Sequence, residues 1–144
     1  LGDVYKRQKK YILFDECRIT GMSDILKVKD PRGVSVYCSE NQWERHIINE
    51  LTGHPIMKDN VEAIIDTIRS PDNIYESHDS DPPLDYREIY SKETKCATYY
   101  GYAPHTKVVL SVVGGGGEVV TAYPSKNPIA GTKGEAIYIA NNEN

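Results

Sequence analysis

The sequence predicts an α+β domain built as a β-hairpin, two helices and then an antiparallel sheet. Three observations carry this. Residues 25–38 hold two alternating apolar runs around a Pro–Gly turn. Residues 43–51 and 61–68 hold two apolar stripes at helical spacing. From residue 86 to 123 strand-like segments follow one another with turn signals between them. Helices segregated from an antiparallel sheet define the α+β class. The 144 residues are a common size for one domain, enough to bury roughly two-thirds of the unfolded surface. No internal repeat appears, and no linker is long enough to split the chain.

Taken in order, "LGDVYKRQ" lacks an initiator methionine, and residues 3–8 look like the translation of a transposon end used to prepare sequencing libraries. Residues 1–8 are therefore read as a scar. Residues 9–144 are read as a single domain, the C-terminal part of a longer protein whose N-terminal region is missing. "KYILFDEC", residues 10–17, reads as a strand. "ILKVKDPRGVSVYC" reads as a hairpin, because Asp30-Pro31-Arg32-Gly33 supplies turn dihedrals. Ser39 with Gln42 three residues on is a capping-box pattern opening a helix. Trp43, Ile47, Ile48 and Leu51 recur on one side of it, Gly53 is its expected C-terminal cap, and His54-Pro55 breaks it.

A second helix is expected over residues 59–69, with Val61, Ile64, Ile65 and Ile68 as its stripe, ending at Ser70-Pro71. "DNIYES", residues 72–77, is a short strand. "HDSDPPLD", residues 78–85, is an acidic loop; it would repel RNA, and His78 within it has no evident role. Strands are expected at residues 86–90, 96–102, 106–113 and 118–123. Four glycines, 114–117, join the last two. They are a hairpin turn rather than a phosphate loop, since a strand and not a helix follows. The tail after Pro124 is weakly patterned.

The net charge of -4 argues against sequence-blind coating of nucleic acid, though not against a local phosphate site. Cys17, Cys38 and Cys96 are odd in number and widely spaced, so they are expected as reduced thiols in a cytosol-like compartment. No apolar run approaches the roughly 18 residues of a membrane span, and no segment reads as a signal peptide. His46 and His54 lack the spacing and the further ligands of a metal site, so neither metal nor cofactor is expected. By periodicity His46 is a boundary residue beside Trp43, and His54 a turn residue beyond the helix; both are compatible with an ordinary structural role.

"WERHIINELTGHPIM" followed by "VEAIIDTIRSPDNIYES", "KVVLSVV" and "VVTAYPSK" resembles the core of the phage-associated PBECR nuclease domains, named for barnase, EndoU, colicin and RelE. The resemblance rests on Trp43, His46, Ile47, His54, Pro55, Ser70-Pro71-Asp72 and Ile74, and runs from Val34 to about Lys126. It departs where an acidic residue is expected after the His-Pro pair and Ile56 stands.

The resemblance implies a barnase/EndoU-like fold and a metal-independent endoribonuclease of toxin or phage-effector type. Such an enzyme drives the 2′-OH of RNA onto the adjacent phosphate and leaves a cyclic phosphate. It would act in a host bacterial cytoplasm, delivered by a phage or a secretion system, with RNA as substrate and an immunity protein or antitoxin as a further partner. The chemistry asks for proton transfer near neutral pH, which suits histidine. It also asks for cations and hydroxyl donors facing the phosphoryl charge.

His46 is the first candidate for proton transfer. Thr121 and Tyr123 share a strand face, which the resemblance places at the active face, and Lys107 begins the adjacent strand. Arg45, His54, Tyr100 and Lys126 are candidates for holding substrate; Tyr99, Tyr100 and Tyr102 could stack on bases or simply pack strands. Two other readings stand beside this one. The first is a non-catalytic interaction or structural module of a phage or mobile-element protein, which the acidic charge favours. The second is a hydrolase using Cys96, which needs that thiol in a cleft beside a histidine.

Overall fold

The structure is a computed structural model, and it describes residues 23–77, 87–113, 116–129 and 134–140. The scar, the strand expected at 10–17, Cys17 and the acidic loop with His78 lie outside the described residues.

The hairpin forms as expected. β1 (Asp24–Lys29) pairs antiparallel with β2 (Ser35–Ser39), with Lys29 opposite Ser35 and Lys27 opposite Tyr37. Between them Asp30 Oδ1 accepts the backbone N–H groups of Arg32 (2.8 Å) and Val34 (2.9 Å). Gly33 takes the left-handed backbone (φ +86°) that closes the turn.

The first helix is shorter than its sequence pattern. Ser39 Oγ caps it by accepting the Gln42 N–H at 3.1 Å, but α1 spans only Glu40–Gln42. It runs into a π-helical turn, Trp43–Ile47, closed by the Ile48 N–H on the Trp43 carbonyl. Trp43 and Ile47 are buried, whereas Leu51, expected on the same stripe, is 93% exposed. Asn49 explains the difference. Its side-chain oxygen accepts the N–H groups of Leu51 (2.8 Å) and Thr52 (3.1 Å), an Asx turn that competes with the helix.

Gly53 is not a simple helix cap. A Cβ there would collide with the carbonyl oxygens of His46 and Ile47, so the chain can fold back over its own turn only through glycine. The His54 N–H then bonds the Ile47 carbonyl at 2.7 Å, which fixes where the imidazole starts. A 3₁₀ turn, Pro55–Asp59, leads into α2 (Val61–Arg69). Ile64 and Ile68 of the expected stripe are fully buried, and Val61 and Ile65 flank them against the core. Asn60, buried at the start of α2, does not cap the helix. Its side chain instead clasps Ala97 of the sheet, accepting that residue's N–H (2.8 Å) and donating to its carbonyl (3.1 Å).

The rest is sheet: β3 (Asn73–Ser77), β4 (Arg87–Thr98), β5 (Gly101–Val113), β6 (Gly116–Ser125) and β7 (Ala136–Ile139). Among the described residues the seven strands lie in the order β1-β2-β6-β5-β4-β3-β7, antiparallel except where β2 meets β6. The strands expected at 86–90 and 96–102 are one continuous β4. An irregularity between Glu93 and Cys96 absorbs the break in pattern. The turn falls inside the second expected strand, at Thr98–Gly101, where Gly101 has φ +141°. β7 was not expected; it completes the edge beside β3.

The sheet has two unlike faces. In register across it, Ile74, Tyr90, Val108 and Ala122 form one row, fully buried in the main core with Ile47, Met57, Ile64 and Ile68. On that side Arg32 reaches from the hairpin turn to Asp30 (2.7 Å), Glu88 (2.7 Å) and the Tyr90 hydroxyl (2.9 Å), and Tyr90 donates to Asp30 (2.6 Å). Burial pushes the Asp30 carboxyl up, but hydrogen bonds from Tyr90, Arg32 and the Val34 amide outweigh it and hold the group below the usual carboxylate range. The other face carries the candidate site.

A candidate site on the face away from the helices

Alternation along β5 and β6 selects the residues of this face. Lys107 stands opposite Tyr123, Val109 opposite Thr121, and His105 opposite Ser125. Across β4 and β3 the Lys107 row continues through Ser91 to Asn73, and the His105 row to Glu93. Residues opposite one another in an antiparallel ladder point to the same side, so these rows share one face of the sheet, in which Lys107, Ser91 and Asn73 are buried. On this face Ile89 and Val109 form a small apolar cluster, with Tyr75, Val120 and Tyr123 packed against it.

The structure thus brings Lys107, Thr121 and Tyr123 together as the sequence suggests, with Thr121 and Tyr123 half-buried. Lys107 is 3% exposed, and its ammonium donates to the carbonyl of Ile129. Burial lowers its pKa. The segment Lys126 to Ile129 crosses here: the Pro128 carbonyl accepts from Asn73 Nδ2 (3.0 Å) and Ser91 Oγ (3.3 Å). Ser125 Oγ and Asn127 Oδ1 fold that segment by accepting the N–H groups of Asn127 and Ile129, each at 3.0 Å. Lys126 itself is exposed.

The imidazole that meets this face is that of His54. Its ring lies 5.5 Å from the Tyr123 ring, tilted by 40°. His46 and Arg45 are exposed on the π-helical turn, outside the rows just described. Tyr100 is fully exposed at the apex of the β4–β5 hairpin.

His105 was not singled out from sequence. It lies two residues before Lys107 on β5, diagonally across from Tyr123. Its Nδ1 is buried without a hydrogen-bond partner among the described residues. An unsatisfied buried nitrogen is uncommon and asks for an explanation. The signal was available: two-residue alternation backwards from Lys107 along "PHTK" puts His105 on the same face.

Cys38 and Cys96 are free and fully buried in the core, and burial pushes the Cys38 thiol up to about 12 and raises that of Cys96. The Cys96 hydrolase is thereby set aside, because its thiol is in no cleft and is disfavoured as thiolate. Among the described residues no group of three His, Cys, Asp or Glu side chains could hold a metal, and no helix is long and apolar enough to cross a membrane.

No family model, curated protein or solved structure matches this chain.

Chemically, the face offers one imidazole beside a phenol, a second imidazole one row along at His105, a half-buried hydroxyl at Thr121 and a buried ammonium at Lys107. Such a set can take a proton from one oxygen, return one to another, and stabilise negative charge between them.

Proposed function

We propose that the protein is a metal-independent endoribonuclease, with its site on the sheet face away from the helices and His54 and His105 as the proton-transfer pair. The observation that carries the reading is the contact of His54 with Tyr123, on a surface that also holds Lys107, Thr121 and His105. One imidazole removes the 2′-OH proton and the other protonates the leaving 5′-oxygen. Thr121 and Tyr123 donate to the phosphoryl oxygens. Lys107 contributes positive potential from beneath, since its ammonium is engaged by Ile129. The sequence resemblance to PBECR nuclease domains supports the same class, and with it we propose a bacterial cytoplasmic setting and an immunity protein or antitoxin as partner.

A defined oligoribonucleotide incubated in EDTA tests the reaction type. Cleavage products ending in a 2′,3′-cyclic phosphate, and no cleavage when the nucleotide 5′ to the scissile bond is 2′-deoxy, are expected. Cleavage that survives the 2′-deoxy substitution contradicts 2′-OH attack. The buried, already paired ammonium of Lys107 and the net charge of -4 favour the non-catalytic module instead; a folded protein inert toward RNA of varied sequence would leave that reading standing.

A further inference from the structure

The β4–β5 hairpin ends in an aromatic tip. Tyr99 is 68%, Tyr100 fully and Tyr102 63% exposed, within four consecutive positions. Elsewhere the described surface leaves large apolar side chains exposed only singly, as at Leu51 and Ile129. Tyrosine rings cost free energy when left fully in water without a partner, and a hairpin apex needs none of them. Tyr100 N–H bonds Thr98 Oγ1 (3.3 Å) and Gly101 supplies the unusual backbone, so the turn is made by its neighbours and not by the rings. The Lys95 ammonium lies over the Tyr102 ring, 4.4 Å from its centre, which places a cation directly against the aromatic surface.

The tip stands at one particular end of the sheet. Gly101 is four residues before His105 on β5, or about 13 Å along the strand, and the His105–Ser125 row is the row of the candidate site nearest to it.

We infer that the tip is a base-stacking platform for single-stranded RNA, placed to hold nucleotides a short way along the strand from the bond that is cut. This rests on the ribonuclease reading of the same face. Exposed ring faces accept any base by stacking, and the Lys95 cation, held against one face of Tyr102, meets the phosphate that links stacked nucleotides. Duplex RNA hides its bases and offers nothing for the rings to stack on, so the substrate class is single-stranded RNA that extends beyond the scissile dinucleotide. A protein partner is the less favoured occupant, because three rings on a protruding apex present much less than the roughly 800 Å² per side of a specific protein interface.

The test uses two RNAs and one variant, Tyr99→Ala/Tyr100→Ala/Tyr102→Ala. All three rings are exposed, so the variant should fold, which thermal melting checks. Binding is read by fluorescence anisotropy with a labelled, uncleavable 2′-deoxy decamer, and cleavage is read with a ribonucleotide decamer and a ribodinucleotide. The platform predicts that the variant binds the decamer at least tenfold more weakly, cleaves the ribodecamer with a correspondingly raised KM, and cleaves the dinucleotide like wild type. Equal binding and equal cleavage of the decamer by both proteins would overturn the platform and leave the nuclease intact. Tip-dependent binding without any cleavage would keep the platform and remove the nuclease. Binding by neither protein overturns the platform and points the tip toward a protein.

Discussion

Single side chains decide most of what this face can do. His54 is exposed and touches Tyr123 by its ring, so His54→Ala removes an imidazole without opening the core. His105→Ala likewise removes a half-buried ring whose Nδ1 has no partner among the described residues. On the proposed ribonuclease reading, each lowers RNA cleavage by about 10²- to 10⁴-fold, the usual contribution of a positioned acid or base, with melting temperature nearly unchanged. On the core side the balance is different. Arg32→Met would leave Asp30 and Glu88 buried without their cation, and urea unfolding should show a loss of about 3–5 kcal/mol. Asp30 adds a pH signature. Its pKa is below the unfolded value of about 3.9, so its contribution is complete above that value and fades as pH falls through the lower, folded one. Asp30→Asn should therefore be less stable than wild type at pH 7, and the gap should narrow on acidification below about pH 4.

At the scale of elements, the sequence was most legible where one periodicity ran unopposed. The hairpin at Asp30–Gly33 and the Ile64/Ile68 stripe of α2 were foreseen because turn chemistry and helical spacing agreed with burial. The first helix was over-extended because Leu51 fits the stripe, while Asn49, which stops it, carries only a local signal. β4 was read as two strands because an irregularity between Glu93 and Cys96 hides its alternation. β7 was missed because four residues at an edge have little pattern of their own and depend on pairing with β3. The candidate site shows the same division. The shared face of Thr121 and Tyr123, with Lys107 on the adjacent strand, followed from the strand pattern, whereas the approach of His54 depends on the fold-back at Gly53, which no periodicity encodes. Gly53→Ala is accordingly expected to destabilise by about 1–3 kcal/mol through overpacking and to displace His54. Circular-dichroism melts would read the first effect, and a fall in cleavage beyond that of Leu51→Ala, a neighbouring control, would read the second.

The described residues form one sheet with a helical layer against its main core and a mixed polar and apolar, partly strapped face on the other side. The main core joins both halves of the chain: Val36 and Ile47 pack with Val108 and Ala122. Cys38 and Cys96 lie within that core from distant parts of the sequence. Their reaction with a thiol reagent should be slow in native buffer and should accelerate for both at the same urea concentration, as expected for a single cooperative unit. Different midpoints for the two thiols would show that the hairpin and the meander unfold separately. The asymmetry of the sheet also explains why an acidic chain can be read as an RNA enzyme. Substrate contact is needed over a few residues of one face, and the net charge is summed over all of them.

The most direct measurement is cleavage of a labelled RNA pool in EDTA by wild type, His54→Ala and His46→Ala, each checked for folding. If the face holding Tyr123 is the active site, wild type and His46→Ala cut the RNA and His54→Ala is slower by at least a hundredfold. Cleavage by His54→Ala at the wild-type rate would contradict that placement, and an equal loss in His46→Ala alone would move the chemistry to the π-helical turn.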